Sequence, residues 1–96
     1  MSYVLVIHAV DSYPAWKAVF DRAADMRRDA GELSYQVLAD EADADRVVHF
    51  SRWSSLADAH RFFESPELVE LRRGAGVRAP MFIYLDEIER GVLAPG

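Results

Sequence analysis

Three segments of this chain have the composition of strands that are apolar on both faces, and this feature limits the possible folds most. Residues 3–10 place Tyr, Leu, Ile and Ala on one face, and three valines with a histidine on the other. Residues 46–53 and the first half of residues 81–88 are apolar in the same way. A strand with one face in water alternates apolar and polar residues. These strands therefore need cover on both faces.

A helix is predicted between the first two strands. Asp11 or Ser12 can cap it, Pro14 lies in its first turn, and Gly31 ends it in a left-handed conformation. Its apolar stripe repeats every ~3.6 residues and consists of Trp16, Val19, Phe20, Ala23, Met26 and Ala30. The pattern predicts one uninterrupted helix.

Two shorter helices are predicted after residues 46–53. Ser55 and Asp58 have the spacing of a capping box, in which each side chain binds a free backbone N–H of the other. Apolar residues then follow at helical spacing, namely Leu56, Ala59, Phe62 and Phe63. Ser65 and Pro66 begin the second short helix as its cap and first residue.

Residues 33–39 are typical of a strand at a sheet edge. One face carries Leu33 together with Tyr35, Val37 and Ala39, and the other carries Ser34 and Gln36, although Leu38 breaks the alternation. The acidic segment at residues 40–45, DEADAD, is predicted to be the turn into the next strand. It lacks the glycine and terminal glutamate of a helix-loop-helix calcium site.

The predicted order is β-α-β-β-α-α-β in one domain, residues 1–96, with residues 91–96 as a loose tail. The compact arrangement is an α+β fold: a ferredoxin-like split βαβ unit whose four-stranded antiparallel sheet carries the helices on one face. Its first and third strands are central, and its second and fourth are edges. The other apolar face is left bare, which predicts an obligate homodimer packed face to face.

Composition excludes several classes of function. The net charge of −5 gives no attraction to phosphate backbones, so nucleic acid is not an expected partner. Without cysteine the chain has no disulfide, no thiolate nucleophile and no sulfur-ligated metal. No apolar run approaches the ~20 residues that span a bilayer, and the N-terminus has no basic lead or cleavage site. A cytoplasmic protein that does not bind membranes is the expectation.

The motifs resemble one superfamily in combination. Tyr13, Trp16-Lys17 and Phe20-Asp21 are followed by Trp53-Ser54-Ser55 and then by Ser65-Pro66-Glu67-Leu68. This pattern resembles the dimeric α+β barrels and, among them, the antibiotic-biosynthesis-monooxygenase-like proteins, over about residues 3–89. The resemblance implies the dimeric barrel and a ligand cavity between sheet and helices. It does not select one reaction, because such barrels include cofactor-free monooxygenases, cyclases, isomerases and haem-degrading enzymes.

His8 and His49 are the candidate catalytic residues. Both lie on predicted central strands, which should be antiparallel neighbours, so the two side chains can be close. The register, and therefore the face that each occupies, stays open, since a slip of one residue reverses it. A histidine in an apolar pocket can take a proton from an acidic phenol or activated carbon. The alternative is a structural histidine with its hydrogen bonds satisfied.

Aromatic residues provide a candidate wall for a flat substrate. Trp53 ends the central strand and resembles a pocket-lining tryptophan of monooxygenase-like and haem-degrading relatives. The other candidates for substrate binding are Tyr35, Phe62, Phe82 and Tyr84. Each of the five can equally be ordinary core.

No cofactor or metal is expected. In haem-degrading relatives the iron-ligating histidine lies about three residues before the Ser-Pro position, where this chain has Phe62, and no asparagine is present to supply the usual strand partner. His60 lies off the apolar stripe of its helix and is expected to be solvated. There is no phosphate-binding glycine loop, nucleophilic serine elbow or His-x-x-x-His pair.

Two hypotheses remain. The first is a cofactor-independent enzyme, either a monooxygenase or a cyclase/isomerase, that acts on a small aromatic or polyketide-like substrate with His8 or His49 as base. In the oxygenase version the substrate carbanion itself reduces dioxygen. The second is a non-catalytic homodimer that binds a small hydrophobic molecule or a protein partner.

Overall fold

Eight helices and strands follow one another along the chain. The computed structural model describes residues 1–95. Its elements are β1 (Ser2–Val10), α1 (Tyr13–Arg22), α2 (Ala24–Ala30), β2 (Glu32–Asp40), β3 (Asp43–Trp53), α3 (Leu56–Phe63), α4 (Pro66–Gly74) and β4 (Val77–Asp86). Residues 87–95 follow β4 without helix or strand.

The four strands form one antiparallel sheet in the order β2-β3-β1-β4. The predicted central pair, β1 and β3, is confirmed, and so are both edges. Val6 lies opposite His49 and His8 opposite Val47, so all four side chains point to the same face. This register decides the question that the sequence left open: both histidines lie on one side of the sheet.

All four helices cover that face, as predicted. The core has two parts, one around Trp53, Val4 and Phe62 and the other around Trp16, Phe20 and Val10. The fold is therefore the predicted α+β, ferredoxin-like arrangement. The opposite face of the sheet, called here the open face, carries Tyr3, Leu5, Ile7, Val48, Phe50, Met81, Ile83 and Leu85.

The prediction of one uninterrupted helix after β1 is wrong. Ser12 caps α1 by accepting the backbone N–H of Ala15 at 3.3 Å, but the helix ends at Arg22 and α2 starts after Ala23. The interruption shifts the helical phase of α2. As a result Met26, predicted to face the core, is exposed, and Arg27 is buried in its place.

The acidic turn is shorter than predicted. β2 continues to Asp40 and β3 begins at Asp43, so only Glu41 and Ala42 form the turn. Asp40 stabilises it by accepting the backbone N–H of Ala42 at 2.8 Å. Most of the DEADAD segment is therefore strand, since a two-residue hairpin connection needs no more.

A β-bulge at Leu33 corrects the predicted pattern of β2. Glu32 pairs with Trp53, and Ser34 pairs with the preceding residue, Arg52, so one extra residue is inserted between them. Such an insertion reverses the face of what precedes it. Leu33, predicted to face the core, is 57% exposed, whereas Glu32 is 7% exposed and points to the helices.

A second bulge lies in β4, which begins four residues before the predicted strand. Ile7 pairs with Met81 and Ala9 with Arg78, so Ala79 and Pro80 together lie opposite His8. Ala79 has a φ of +47°, a left-handed conformation that is unusual without glycine. The sheet is therefore irregular beside His8.

No helix within residues 1–95 is both long enough and apolar enough to cross a membrane.

Candidate active site

A cavity lies between the helices and the covered face of the sheet. It has about 70 Å³ of space for water-sized molecules, and about 560 Å³ of empty space when its open mouth is counted. Aromatic side chains form much of its wall, namely Trp16, Phe20, Phe62, Phe63 and Phe82. The polar side chains that line it are His8, His49, Arg27 and Arg72. An apolar cavity with a few polar groups is the usual form of a small-molecule site.

His49 belongs to a buried chain of charged groups. Its Nε2 is 2.7 Å from Oε2 of Glu32, and the other carboxylate oxygen of Glu32 accepts a hydrogen bond from Nη1 of Arg27. The three side chains are only 4–6% exposed. In the tautomer that donates its Nε2–H to this carboxylate, the lone pair of the ring is on Nδ1.

Aromatic rings hold this chain of groups in place. The guanidinium carbon of Arg27 lies 3.7 Å from the ring centroid of Phe20 and 4.9 Å from that of Tyr35. Nη2 of Arg27 also donates to the backbone oxygen of Phe20 at 3.2 Å. Phe20 packs edge-on against His49 with 4.9 Å between centroids. The surroundings fix the orientation of the imidazole as well as its partner.

His8 is the opposite case, a buried histidine without a partner. It is 5% exposed, and neither of its ring nitrogens makes a hydrogen bond within residues 1–95. Burial, helped by the nearby positive charges that His49 and Arg72 can carry, lowers the pKa of His8 to about 4. His8 is therefore neutral at pH 7, with one N–H to donate and one nitrogen to accept.

Arg72 is a partly buried residue of the cavity wall. Its Nη1 donates to the backbone oxygen of Phe63 at 3.1 Å, and its guanidinium carbon is 4.8 Å from the centroid of Phe82. Burial lowers the pKa of Arg72 below its ordinary value, yet a guanidinium stays charged. Within residues 1–95, no carboxylate forms an ion pair with it.

The structure brings four of the seven candidate residues into the cavity wall. His8, His49, Phe62 and Phe82 all line it. Their roles in catalysis and substrate binding stay predictions.

The other three candidates lie behind or beside the cavity. Trp53 packs against Phe62 with 5.4 Å between ring centroids, and its Nε1 donates to Oγ of Ser51 at 2.8 Å. Tyr35 is 51% exposed and lies edge-on to His49. Tyr84 stacks on His60, which is partly exposed, with 3.6 Å between centroids. Trp53, Tyr35 and Tyr84 are not among the residues that line the cavity, and their roles in substrate binding stay predictions.

Sequence reasoning missed Glu32. From the sequence, Arg27 is a candidate to hold a substrate carboxylate or enolate or, alternatively, a solvated side chain of a helix surface. A glutamate next to Gly31, at the start of an edge strand, has no pattern that marks it as buried. Five residues separate it from Arg27, across the helix end, so helical spacing does not pair them either. The available signal was a pair of opposite charges on either side of a helix-ending glycine, which is weak by itself.

Within residues 1–95, no group of three or more histidine, aspartate or glutamate side chains is placed to hold a metal ion.

Comparison with known families decides the classification of the chain. The family model described as antibiotic biosynthesis monooxygenase matches residues 11–73, more than half of the sequence. The chain belongs to this family. The resemblance noted from the sequence motifs is thereby confirmed, and membership of the antibiotic biosynthesis monooxygenase family supports a monooxygenase-type function.

Three solved structures show the extent of the likeness. SnoaB of Streptomyces nogalater, a cofactor-independent oxygenase, has a TM-score of 0.74 at 13% identity, covering 93% of this chain and 94% of that one. The ActVA-Orf6 monooxygenase of Streptomyces coelicolor, solved with nanaomycin D, has a TM-score of 0.64 at 23% identity, covering 99% of this chain and 92% of that one. Rv0793 of Mycobacterium tuberculosis has a TM-score of 0.67 at 18% identity, covering 96% of this chain and 100% of that one.

At such identities these structures establish the common fold of the antibiotic biosynthesis monooxygenase family and not a shared reaction. None of the curated proteins compared with the chain matches it significantly.

Proposed function

We propose that the protein is a cofactor-independent monooxygenase of a small aromatic or polyketide-like substrate, with His49 as the general base. The observation that carries this proposal is the buried contact between His49 and Glu32 at the wall of an aromatic cavity. A carboxylate behind an imidazole stabilises the imidazolium that forms when the base takes a proton. Arg27 holds that carboxylate in place from its other side.

His49 is preferred over His8 as the base because their surroundings differ. His8 has no carboxylate partner, and its pKa of about 4 makes it a weak base at neutral pH. A neutral imidazole is instead suited to donate a hydrogen bond to a substrate oxygen that gains negative charge. His8 is therefore assigned to the substrate oxygen and His49 to the substrate proton.

The reaction fits a methylene group made acidic by neighbouring rings and carbonyls. His49 removes one proton, and the carbanion gives electrons to dioxygen and forms a carbon–oxygen bond. The resulting peroxide takes the proton back from His49. Loss of the second C–H proton then breaks the O–O bond and releases hydroxide, which becomes water. In sum, CH₂ and O₂ give C=O and H₂O, with dioxygen as the only oxidant.

Oxygen consumption tests the proposal. With a tricyclic anthrone as substrate, His49→Gln should lower kcat by about 10²-fold or more, the usual contribution of a general base. His60→Gln, a partly exposed histidine on α3, is the matched control and should retain full activity. Loss of activity in His8→Gln but not in His49→Gln would reverse the two roles and contradict the proposal. A wild-type protein that binds such tricyclic compounds without consuming oxygen would favour the alternative, a non-catalytic binding protein.

We further propose that the protein works as a homodimer through its open face. Leu5 lies at the middle of that face, between Phe50 on β3 and Ile83 on β4, with no helix above it. A bare apolar sheet face of this kind is suited to a second copy. Light scattering should give about twice the chain mass of 10.9 kDa, and Leu5→Lys should halve it.

Val69→Lys is the control for this substitution, because Val69 is an exposed apolar residue on α4 and not on the open face. A wild-type monomer at micromolar concentration would contradict the proposed dimer.

A further inference from the structure

Two groups in the cavity wall lack the partners that their chemistry calls for. Both nitrogens of His8 are buried without a hydrogen bond, and Arg72 is charged without a carboxylate, among the residues that the structure describes. A buried polar atom left without a hydrogen bond destabilises the folded protein. Such groups in a cavity wall are explained when a ligand supplies the missing partner.

The distribution of charge makes Arg72 unusual in this protein. Of the eleven Lys and Arg residues, only Arg22, Arg52 and Arg72 form no ion pair within residues 1–95. Of these three, Arg72 alone lines the cavity. The other arginine in the wall, Arg27, is neutralised by Glu32. The wall therefore has one uncompensated positive charge, although the whole chain is acidic.

Position matters as much as charge. Arg72 is partly exposed and donates to the backbone oxygen of Phe63, whereas His8 is buried on the central strand. Both side chains line the same cavity. The ring of Phe82 is in contact with the guanidinium and beside Phe63. An oxygen anion attached to a flat ring system in this cavity has Arg72 and His8 as polar partners in the wall and Phe82 as an aromatic one.

We propose that the cavity binds its ligand as an oxyanion, a planar aromatic carboxylate or phenolate whose oxygen is held by Arg72 and by the N–H of His8. This inference rests on the proposed function in using the same cavity, and it adds the charge state of the ligand. A charge-assisted hydrogen bond is about twice as strong as a neutral one. The anionic form should therefore be selected over a neutral molecule of the same shape.

Calorimetric titration of the full chain with two near-isosteric probes tests the inference. At pH 7, 2-naphthoate is anionic and 2-naphthamide is neutral, while their rings are identical. The wild-type protein should bind 2-naphthoate about tenfold more tightly or better. Arg72→Met should remove most of that preference and Arg72→Lys should restore part of it. Arg73→Met, an exposed neighbour paired with Glu70, should keep it.

His8→Phe provides a second, independent variant, because it retains an aromatic ring and removes both nitrogens. It should also weaken the preference for 2-naphthoate, and addition of 2-naphthoate to the wild type should shift the ¹⁵N resonances of the His8 ring. Equal affinity for both probes, an undiminished preference in Arg72→Met, or no binding of either probe up to about 5 mM would overturn the inference.

These outcomes separate the inference from the proposed monooxygenase activity. Selective binding of 2-naphthoate without oxygen consumption on anthrones would leave the inference intact and refute the enzyme. Oxygen consumption without any preference for the anion would support the enzyme and refute the inference.

Discussion

Replacing His8 with phenylalanine should make the fold less sensitive to mild acid. In the folded chain burial lowers the pKa of His8 from 6.5 to about 4, whereas the unfolded chain keeps the ordinary value. Between pH 6.5 and 4 the His8 ring therefore binds a proton in the unfolded state but not in the folded state. The free energy of unfolding is therefore not reduced by His8 above pH 6.5, and it falls progressively as the pH is lowered towards 4.

The magnitude follows from the same values. At pH 5 the solution is 1.5 units below the unfolded pKa of 6.5 and still above the folded value of about 4. At about 1.4 kcal/mol for each unit, the folded state loses about 2 kcal/mol relative to pH 7. His8→Phe has no such group. Its free energy of unfolding should therefore rise by about 2 kcal/mol relative to the wild type when the pH is lowered from 7 to 5.

Urea unfolding followed by tryptophan fluorescence at pH 7, 6 and 5 measures this difference directly, because other titrating groups are common to both chains and largely cancel. His60→Gln is the control, since that side chain is partly exposed on α3. A difference between wild type and His8→Phe that stays constant within about 0.5 kcal/mol across this range would refute the reasoning.

Three further substitutions test other features by urea unfolding at pH 7. Arg27→Met leaves the buried carboxylate of Glu32 without its guanidinium and should cost about 3–5 kcal/mol; a cost below about 1 kcal/mol would mean that the pair is not formed. Ala79→Val places a β-branched residue at a positive φ and should cost about 1–2 kcal/mol, whereas Ala79→Gly should not destabilise. Trp53→Phe removes the donor to Ser51 and some packing volume, and a loss of about 1–3 kcal/mol is expected.

The sheet and the placement of the helices could be predicted because their signals are local and repeated. Residues 3–10 form a nearly continuous apolar run typical of a buried strand, and Ser12, Ser55 and Ser65 cap helices as their neighbours suggest. The break at Ala23 could not be predicted, since the apolar stripe continues through it. There the buried pairing of Arg27 with Glu32 outweighs the burial of Met26, and only the tertiary structure contains that competition.

The candidate site could be predicted only in part, because the sequence does not determine the register between β1 and β3. That His8 and His49 lie on neighbouring central strands follows from element order, but their common face depends on the pairing of Val6 with His49. Whether a ring nitrogen has a partner depends on residues distant in sequence. The bulge at Leu33 reverses the face of Glu32, so strict alternation places this carboxylate on the wrong side of the sheet.

The carboxylate of Glu32 points towards the helices because Leu33 is an extra residue in β2. Its orientation therefore depends on this insertion as well as on the presence of a glutamate. In a homologue without that insertion, a glutamate aligned with Glu32 would point away from the helices, and the histidine aligned with His49 would lack its counter-ion. Conversely, an inserted residue elsewhere along the same edge could turn a different acidic side chain inward. A structural alignment that shows the insertion at the start of β2 therefore identifies homologues with an inward carboxylate beside the histidine better than the residue type at the aligned position does.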